Sequence, residues 1–216
     1  MLSHAQALKK VTFIRFTILM ISSLLIISCA GTSPKSNFYT LNSQINNTKN
    51  DENLNKNLPT LSIHIASVLI DETVDRPQLV IRTSQNRVEI LEQQRWAQPL
   101  KNEISRVVAE HLSAILATNK VTTFPLPAIK PDYIVTIQVQ TFESKLSENA
   151  KLRAYWGVRR TADNMQVNDT LITTEGIPGA IINSYDALIA AHNQNLNRLS
   201  TDIAKTIITM SAIPNH

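Results

Sequence analysis

The stretch that most limits the fold is "DYIVTIQVQTFES", residues 132–144. Val135, Ile137 and Val139 alternate with Thr136, Gln138 and Gln140, a period of two that an extended strand turns into one apolar face. "KLRAYWGVRR" (151–160) continues the pattern, with Leu152, Ala154, Trp156 and Val158 opposed to Arg153, Tyr155 and Arg159. One-sided alternation in successive runs predicts antiparallel strands with one covered face. "LSIHIASVLI" (61–70) sets Leu61, Ile63 and Ile65 against Ser62 and His64. "QLVIR" and "VEILE" flank "TSQN" and predict a hairpin with a short polar loop, and "DTLITTEG" (169–176) reads as a weaker strand.

Two helical stripes supply the cover. From Trp96 to about Ala117, apolar residues recur at Leu100, Ile104, Val107, Val108, Leu112, Ile115 and Leu116. Pro99 fits there only in the first turn, where its missing N–H is no loss. From Ser184 to about Ser211 the stripe is Leu188, Ile189, Leu196, Leu199, Ile203, Ile207 and Met210, with Asn183 or Ser184 able to cap its start. The expected fold class is α+β, a largely antiparallel β-sheet with two long helices packed on one face.

The first 28 residues are read apart from that fold. Lys9, Lys10 and Arg15 precede an apolar stretch from Phe16 to Ile27, the pattern of a secretory signal and too short for a confident spanning helix. Ile26-Ile27-Ser28-Cys29 resembles the bacterial lipobox, and Cys29 is the chain's single cysteine, so it has no disulfide partner. Cys29 is therefore expected to be a lipid anchor, holding the protein through several acyl chains. Ala30 follows it rather than an aspartate, which points to the periplasmic face of the outer membrane. Without Lys9, Lys10 and Arg15, the 21 basic residues fall to 18 against 17 acidic ones. That balance gives no argument for nucleic acid as a partner. Arg159-Arg160, the one adjacent basic pair after the signal, reads as a solvated strand end. The expected organisation is 1–28 signal peptide, 29–58 lipidated N-terminus, and 59–213 main domain. Within the second segment, "FYTL" (38–41) forms a short strand and "NSQINNTKNDENLNKN" (42–57) a flexible linker that lets the domain reach a partner.

Chemistry has little local support. The four glycines fall in no phosphate cradle or nucleophile elbow. His64, His111, His192 and His216 are scattered, with no HExxH and no i,i+4 pair. His111 and His192 lie beside or within the helical stripes and read as buried, hydrogen-bonded histidines rather than metal ligands. No catalytic residue, metal or cofactor is nominated. "VDRPQLVIR" (74–82) raises the sharpest question, because Asp75 and Arg76 stand directly before a strand. Neighbouring side chains in extended backbone point apart, and Pro77 holds Arg76 out of helical geometry, so strand entry is favoured over catalysis. Asp75 is expected to close the preceding turn by accepting backbone N–H groups. Arg76 or Arg82 facing a partner or a lipid phosphate stays open.

"VDRPQLVIR", followed by "RWAQPL" (95–100) and the helix "KNEISRVVAEHLSAIL", resembles the PqiC family of ABC-type transport auxiliary lipoproteins. "FYTL" after a lipobox, "DYIVTIQVQTFES" before "KLRAYWGVRR", and a terminal "LNRLSTDIAKTI" fall in the same order, so the resemblance covers most of 29–210. The chain departs from that pattern at "VLIDET" before the motif and in its long asparagine-rich run. The resemblance implies an accessory role beside an MCE-domain protein and a membrane permease, in a system moving lipids between membranes and supporting envelope integrity. It implies no catalytic residue. Asp75, Arg76, Pro77, Arg95 and Trp96 match its signature and, with Arg82, are the candidates for partner docking. A homo-oligomer is plausible because an exposed sheet edge can pair. Two other readings stand beside this one: a general structural or cell-wall-binding envelope lipoprotein, and a periplasmic hydrolase with a triad assembled from distant residues.

Overall fold

The computed structural model describes residues 34–43, 61–125, 130–177 and 184–214, with Arg15 alone upstream. The signal segment, Cys29, Asn183 and residues 44–60 of the asparagine-rich region lie outside the described residues. Ser36–His216 form one compact unit.

Among the described residues, eight strands and two helices follow in chain order. They are β1 (Asn37–Tyr39), β2 (Ile63–Ile70), β3 (Gln78–Ser84), β4 (Arg87–Trp96), α1 (Leu100–Ile115), β5 (Val121–Thr122), β6 (Tyr133–Lys145), β7 (Asn149–Arg160), β8 (Gln166–Gly176) and α2 (Tyr185–Ser211). The class is α+β, as the alternation and the stripes indicate. The strands divide into two sheets, of order β1-β4-β3 and β5-β2-β6-β7-β8. Antiparallel pairs form the long ladders β6–β7 and β7–β8 and the β3–β4 hairpin, which turns at Gln85–Asn86. Parallel pairing joins β2 to both β5 and β6, and β1 to β4.

The alternation that defines β6 changes phase once. Val135, Ile137 and Val139 are buried, then Phe142 and Ser144 take over the inner face, because the ladder to β7 shifts between Val139 and Thr141. The same device acts in β2. An extra residue between Ile65 and Ser67 moves the inward set from Ile63 and Ile65 to Val68 and Ile70. A bulge moves side chains to the other face without ending the strand.

Both helices cover the five-stranded sheet. α1 packs on β2, α2 on β7 and β8, and the two pack on each other. Their stripes are buried as the spacing indicates, with Ile115 half-exposed. α2 starts where Ser184 caps it: its hydroxyl accepts from the Ala187 amide at 3.1 Å. α1 starts four residues later than expected, at Leu100, because β4 runs on through Trp96.

The Arg159-Arg160 pair is not a solvated strand end. Arg160 is buried and makes a two-point ion pair with Asp163, and its Nη1 donates to the carbonyls of Met210 and Ile213 at 2.6 and 2.7 Å. It thereby adds donors to carbonyls at and just past the end of α2, where backbone acceptors run short of partners. Arg159 stays at the surface and donates to Asn164.

The segment after β1 is held by both helices. The buried Glu103 accepts the Leu41 amide at 3.1 Å and an Arg106 N–H at 2.7 Å, while Arg106 also donates to the Leu41 carbonyl. Ser43 bonds to Glu110, and the Asn42 amide bonds to Asn193 of α2 at 3.0 Å. β1 is therefore part of the domain, and the asparagine-rich run joins β1 to β2 rather than separating the domain from what precedes it.

Candidate functional site

The two signature segments meet in space. The Pro77 carbonyl accepts the Trp96 amide at 2.7 Å, and the Ala97 amide donates to the Tyr39 carbonyl at 2.9 Å. These bonds tie the entry of β3, the end of β4 and the end of β1 into one corner. Around it lies an open groove of about 410 Å³, lined by Asp75, Arg76, Pro77, Trp96, Ala97, Gln98, Pro99 and Lys101. α1 begins at its edge. Pro99 occupies the N-cap position and offers no side-chain acceptor to the first-turn amides.

Each expected residue has a definite place. Asp75 does not close the preceding turn: Asp71 does, accepting the Thr73 amide on its carboxylate and the Val74 and Asp75 amides on its carbonyl. The hydrogen bond from Thr73 holds the Asp71 carboxyl below the usual carboxylate range. Asp75 instead faces Lys101 at 3.6 Å. Arg76 is half-buried, and its Nε is shielded from solvent with no hydrogen-bond partner. Trp96 is 5% exposed and packs edge-on against Phe142, so it belongs to the core while forming a wall of the groove.

Arg82 and Arg95 lie elsewhere. Arg82 pairs with Glu143 of β6 and donates to the Gln85 carbonyl at 3.0 Å, so it fastens the hairpin to the larger sheet. It also lines a separate polar cleft with Asp71, Gln140 and Ser144. Arg95 stands in register with Phe38 of β1 and Gln78 of β3. The groove thus gathers Asp75, Arg76, Pro77 and Trp96 and leaves out Arg82 and Arg95. Sequence reasoning did not single out Gln98, Pro99 or Lys101 as groove residues. Their signal was present, since they follow Trp96 within the same quoted motif.

His111 and His192 are buried and hydrogen-bonded. His192 is fully buried, lies flat on Phe142 with ring centroids 3.8 Å apart, and bonds through Nε2 to Ser144 Oγ at 2.8 Å. Burial pushes its pKa down to about 3, and Nδ1 has no partner. His111 bonds through Nδ1 to Ser200 Oγ at 3.3 Å, and burial lowers its pKa as well. Among the described residues, no group of three or more His, Cys, Asp or Glu side chains is placed to hold a metal. No described helix is long and apolar enough to cross a membrane.

The fold has solved relatives. A crystal structure of an uncharacterized protein superposes with a TM-score of 0.65 at 16% identity, covering 81% of this chain and 99% of its own. Protein XCC0632 from Xanthomonas campestris, assigned to the family DUF330, gives 0.62 at 17% identity, covering 82% and 98%. At such identities the likeness speaks for the fold alone. No curated protein matches the sequence. The family model described as "ABC-type transport auxiliary lipoprotein component" matches residues 39–204, from the end of β1 to well inside α2. That family is not an enzyme family, and it is the one that "VDRPQLVIR" and "RWAQPL" resemble. The chain belongs to the ABC-type transport auxiliary lipoprotein component family.

Proposed function

We propose that this transport-associated lipoprotein is anchored by Cys29 at the periplasmic face of the outer membrane. There it serves as accessory subunit of an MCE-type, ABC-type intermembrane lipid transport system that supports envelope integrity. The observation that carries the reading is the family match over 39–204 in a domain whose signature residues border an open groove. An open corner built from Trp96, two prolines and charged side chains suits docking, since interface hot spots favour Trp and Arg. The partners are an MCE-domain protein and a membrane permease. Asp75, Arg76, Pro77 and Trp96 form the docking candidate, with Arg82 holding the adjoining hairpin and Arg95 on the neighbouring surface. The edge strand β8 offers a ladder to a second copy.

The anchor sets the scale. The compact unit starts at Ser36, seven residues after Cys29, which spans at most about 25 Å fully extended. The domain is held close to the membrane, and this raises its effective concentration for a partner there.

The hydrolase reading has one specific observation to answer, the Ser144–His192 bond. The geometry argues against a working pair. A general base needs a pKa near the working pH, and this imidazole sits at about 3 with no acid orienting Nδ1.

A photo-crosslinking residue at Gln98, which is exposed on the groove, tests the docking reading in cells. The expected product is a covalent adduct with an MCE-domain protein. Correct outer-membrane fractionation without that adduct would sink the transport assignment. Cys29→Ala is expected to abolish fatty-acid labelling and release the chain from membranes. Unchanged labelling would remove the anchor.

A further inference from the structure

We propose that the groove between β3, β4 and α1 binds a carboxylate-bearing residue of a partner polypeptide, with Arg76 as the counter-charge. The inference rests on the docking reading above and adds the chemistry that is recognised. Three observations converge on it.

The first is the state of the cations. Lys101 faces Asp75 at 3.6 Å, so one positive charge is already answered within the groove. The guanidinium of Arg76 has no ion pair or hydrogen bond among the described residues, and its Nε is closed off from water. An arginine donor that has lost water without gaining an acceptor is costly to the free protein. Nε is too enclosed for a ligand to reach, so the donors left for an arriving acceptor are the two Nη groups of this groove-lining side chain. Arginine is suited to a carboxylate because its planar fork can give two parallel hydrogen bonds.

The second is the start of α1. Pro99 stands at the N-cap without a hydrogen-bonding side chain; its carbonyl takes the Asn102 and Glu103 amides, while the Leu100 and Lys101 amides receive no side-chain cap. They and the helix dipole favour negative charge at this point. The third is shape. Trp96, Pro77 and Pro99 give apolar walls on either side of the charged floor, in a volume of about 410 Å³. That lies near the low end of small-ligand clefts. It admits a short peptide segment with an acidic residue beside an apolar one, and it is too small for a diacyl lipid.

The purified full-length chain is titrated with acetyl-Leu-Glu-Leu-amide and with acetyl-Leu-Gln-Leu-amide, following the Trp96 indole resonance by NMR. The expected result is a saturable shift with the glutamate peptide and at least tenfold weaker binding of the glutamine peptide. Arg76→Gln should weaken the glutamate peptide by a similar factor. Arg76→Lys should fall between, with melting curves of all three proteins superimposed. Equal binding of both peptides, or undiminished binding by Arg76→Gln, would overturn the inference. So would a response to glycerol 3-phosphate alone, which assigns the groove to lipid headgroups, or self-association alone, which assigns it to a second copy. Peptide binding is measured on the isolated chain and transporter capture in cells, so the two readings fail separately.

Discussion

Arg160 and Arg76 are both drawn at least partly out of water, yet their surroundings differ in every other respect. Arg160 meets a carboxylate with two nitrogens and two helix-end carbonyls with a third. Arg76 has no side-chain acceptor among the described residues, and its Nε is enclosed without a partner. A guanidinium with its donors satisfied holds structure together. One whose donor is shielded and unanswered adds little to the fold, and the docking role proposed for Arg76 rests on that difference. The same side chain therefore reports either stability or recognition, and its neighbours decide which.

That contrast can be broken by experiment. Arg160→Ala should have the largest effect, because it strips the guanidinium from Asp163 and from the carbonyls of Met210 and Ile213 in a buried site. A fall in the thermal midpoint on the order of 10 °C is expected by circular dichroism. Acid comes next. His192 is held at about 3 against an ordinary 6.5 by burial, so the unfolded chain binds its proton first. The stability this gives is complete above pH 6.5 and is lost as pH falls toward 3, by up to about 1.4 kcal/mol per pH unit. Asp163, held at about 2 by hydrogen bonds from Arg160 and the Met165 amide, adds its own loss below its ordinary 3.8. Denaturant titrations from pH 7 to 3 should show the first slope in the parent chain and lose it in His192→Leu. A parent chain of constant stability across that range would mean that the ring is not enclosed as described.

Smaller effects sharpen the comparison. Arg82→Ala breaks a half-exposed pair with Glu143 and should cost about 1 kcal/mol or less. Arg76→Ala should change stability by no more than about 0.5 kcal/mol, or raise it slightly, while abolishing the Gln98 crosslink. A loss above about 1 kcal/mol in equilibrium unfolding would place Arg76 with Arg160 and end the distinction.

The sequence carried the fold where a pattern repeats over enough residues. β6 and β7 are long, alternate cleanly and expose one face, so Val135 to Val158 could be assigned from periodicity. α1 and α2 present stripes of seven residues, and Ser184 announced its own cap. β5 was missed because two residues have no period. The β1–β4 pairing was missed because contacts between Tyr39 and Trp96 depend on the whole fold. Asp71 took the role expected of Asp75 because both stand near the turn and only geometry chooses between them. At the groove, the motif residues were recognised as a set, but their meeting around Arg76 needed the Pro77–Trp96 bond to be seen. Arg160 was misread because a charge at a strand end looks solvated until the end of α2 closes over it.

The clamp on β1 has a mechanical consequence. If Cys29 is the anchor proposed above, a pull on it would enter the domain through β1, its register with β4, and the Glu103–Arg106 grip on Leu41. Those bonds are the fuse in the load path. While they hold, only six residues lie between Cys29 and the compact unit. If they rupture, the next described hold on the chain is at Leu61 and Ser62, whose carbonyl and amide bond to Thr118 and Asp132 of the main domain. A strand of three residues would then take that load first, ahead of the five-stranded sheet.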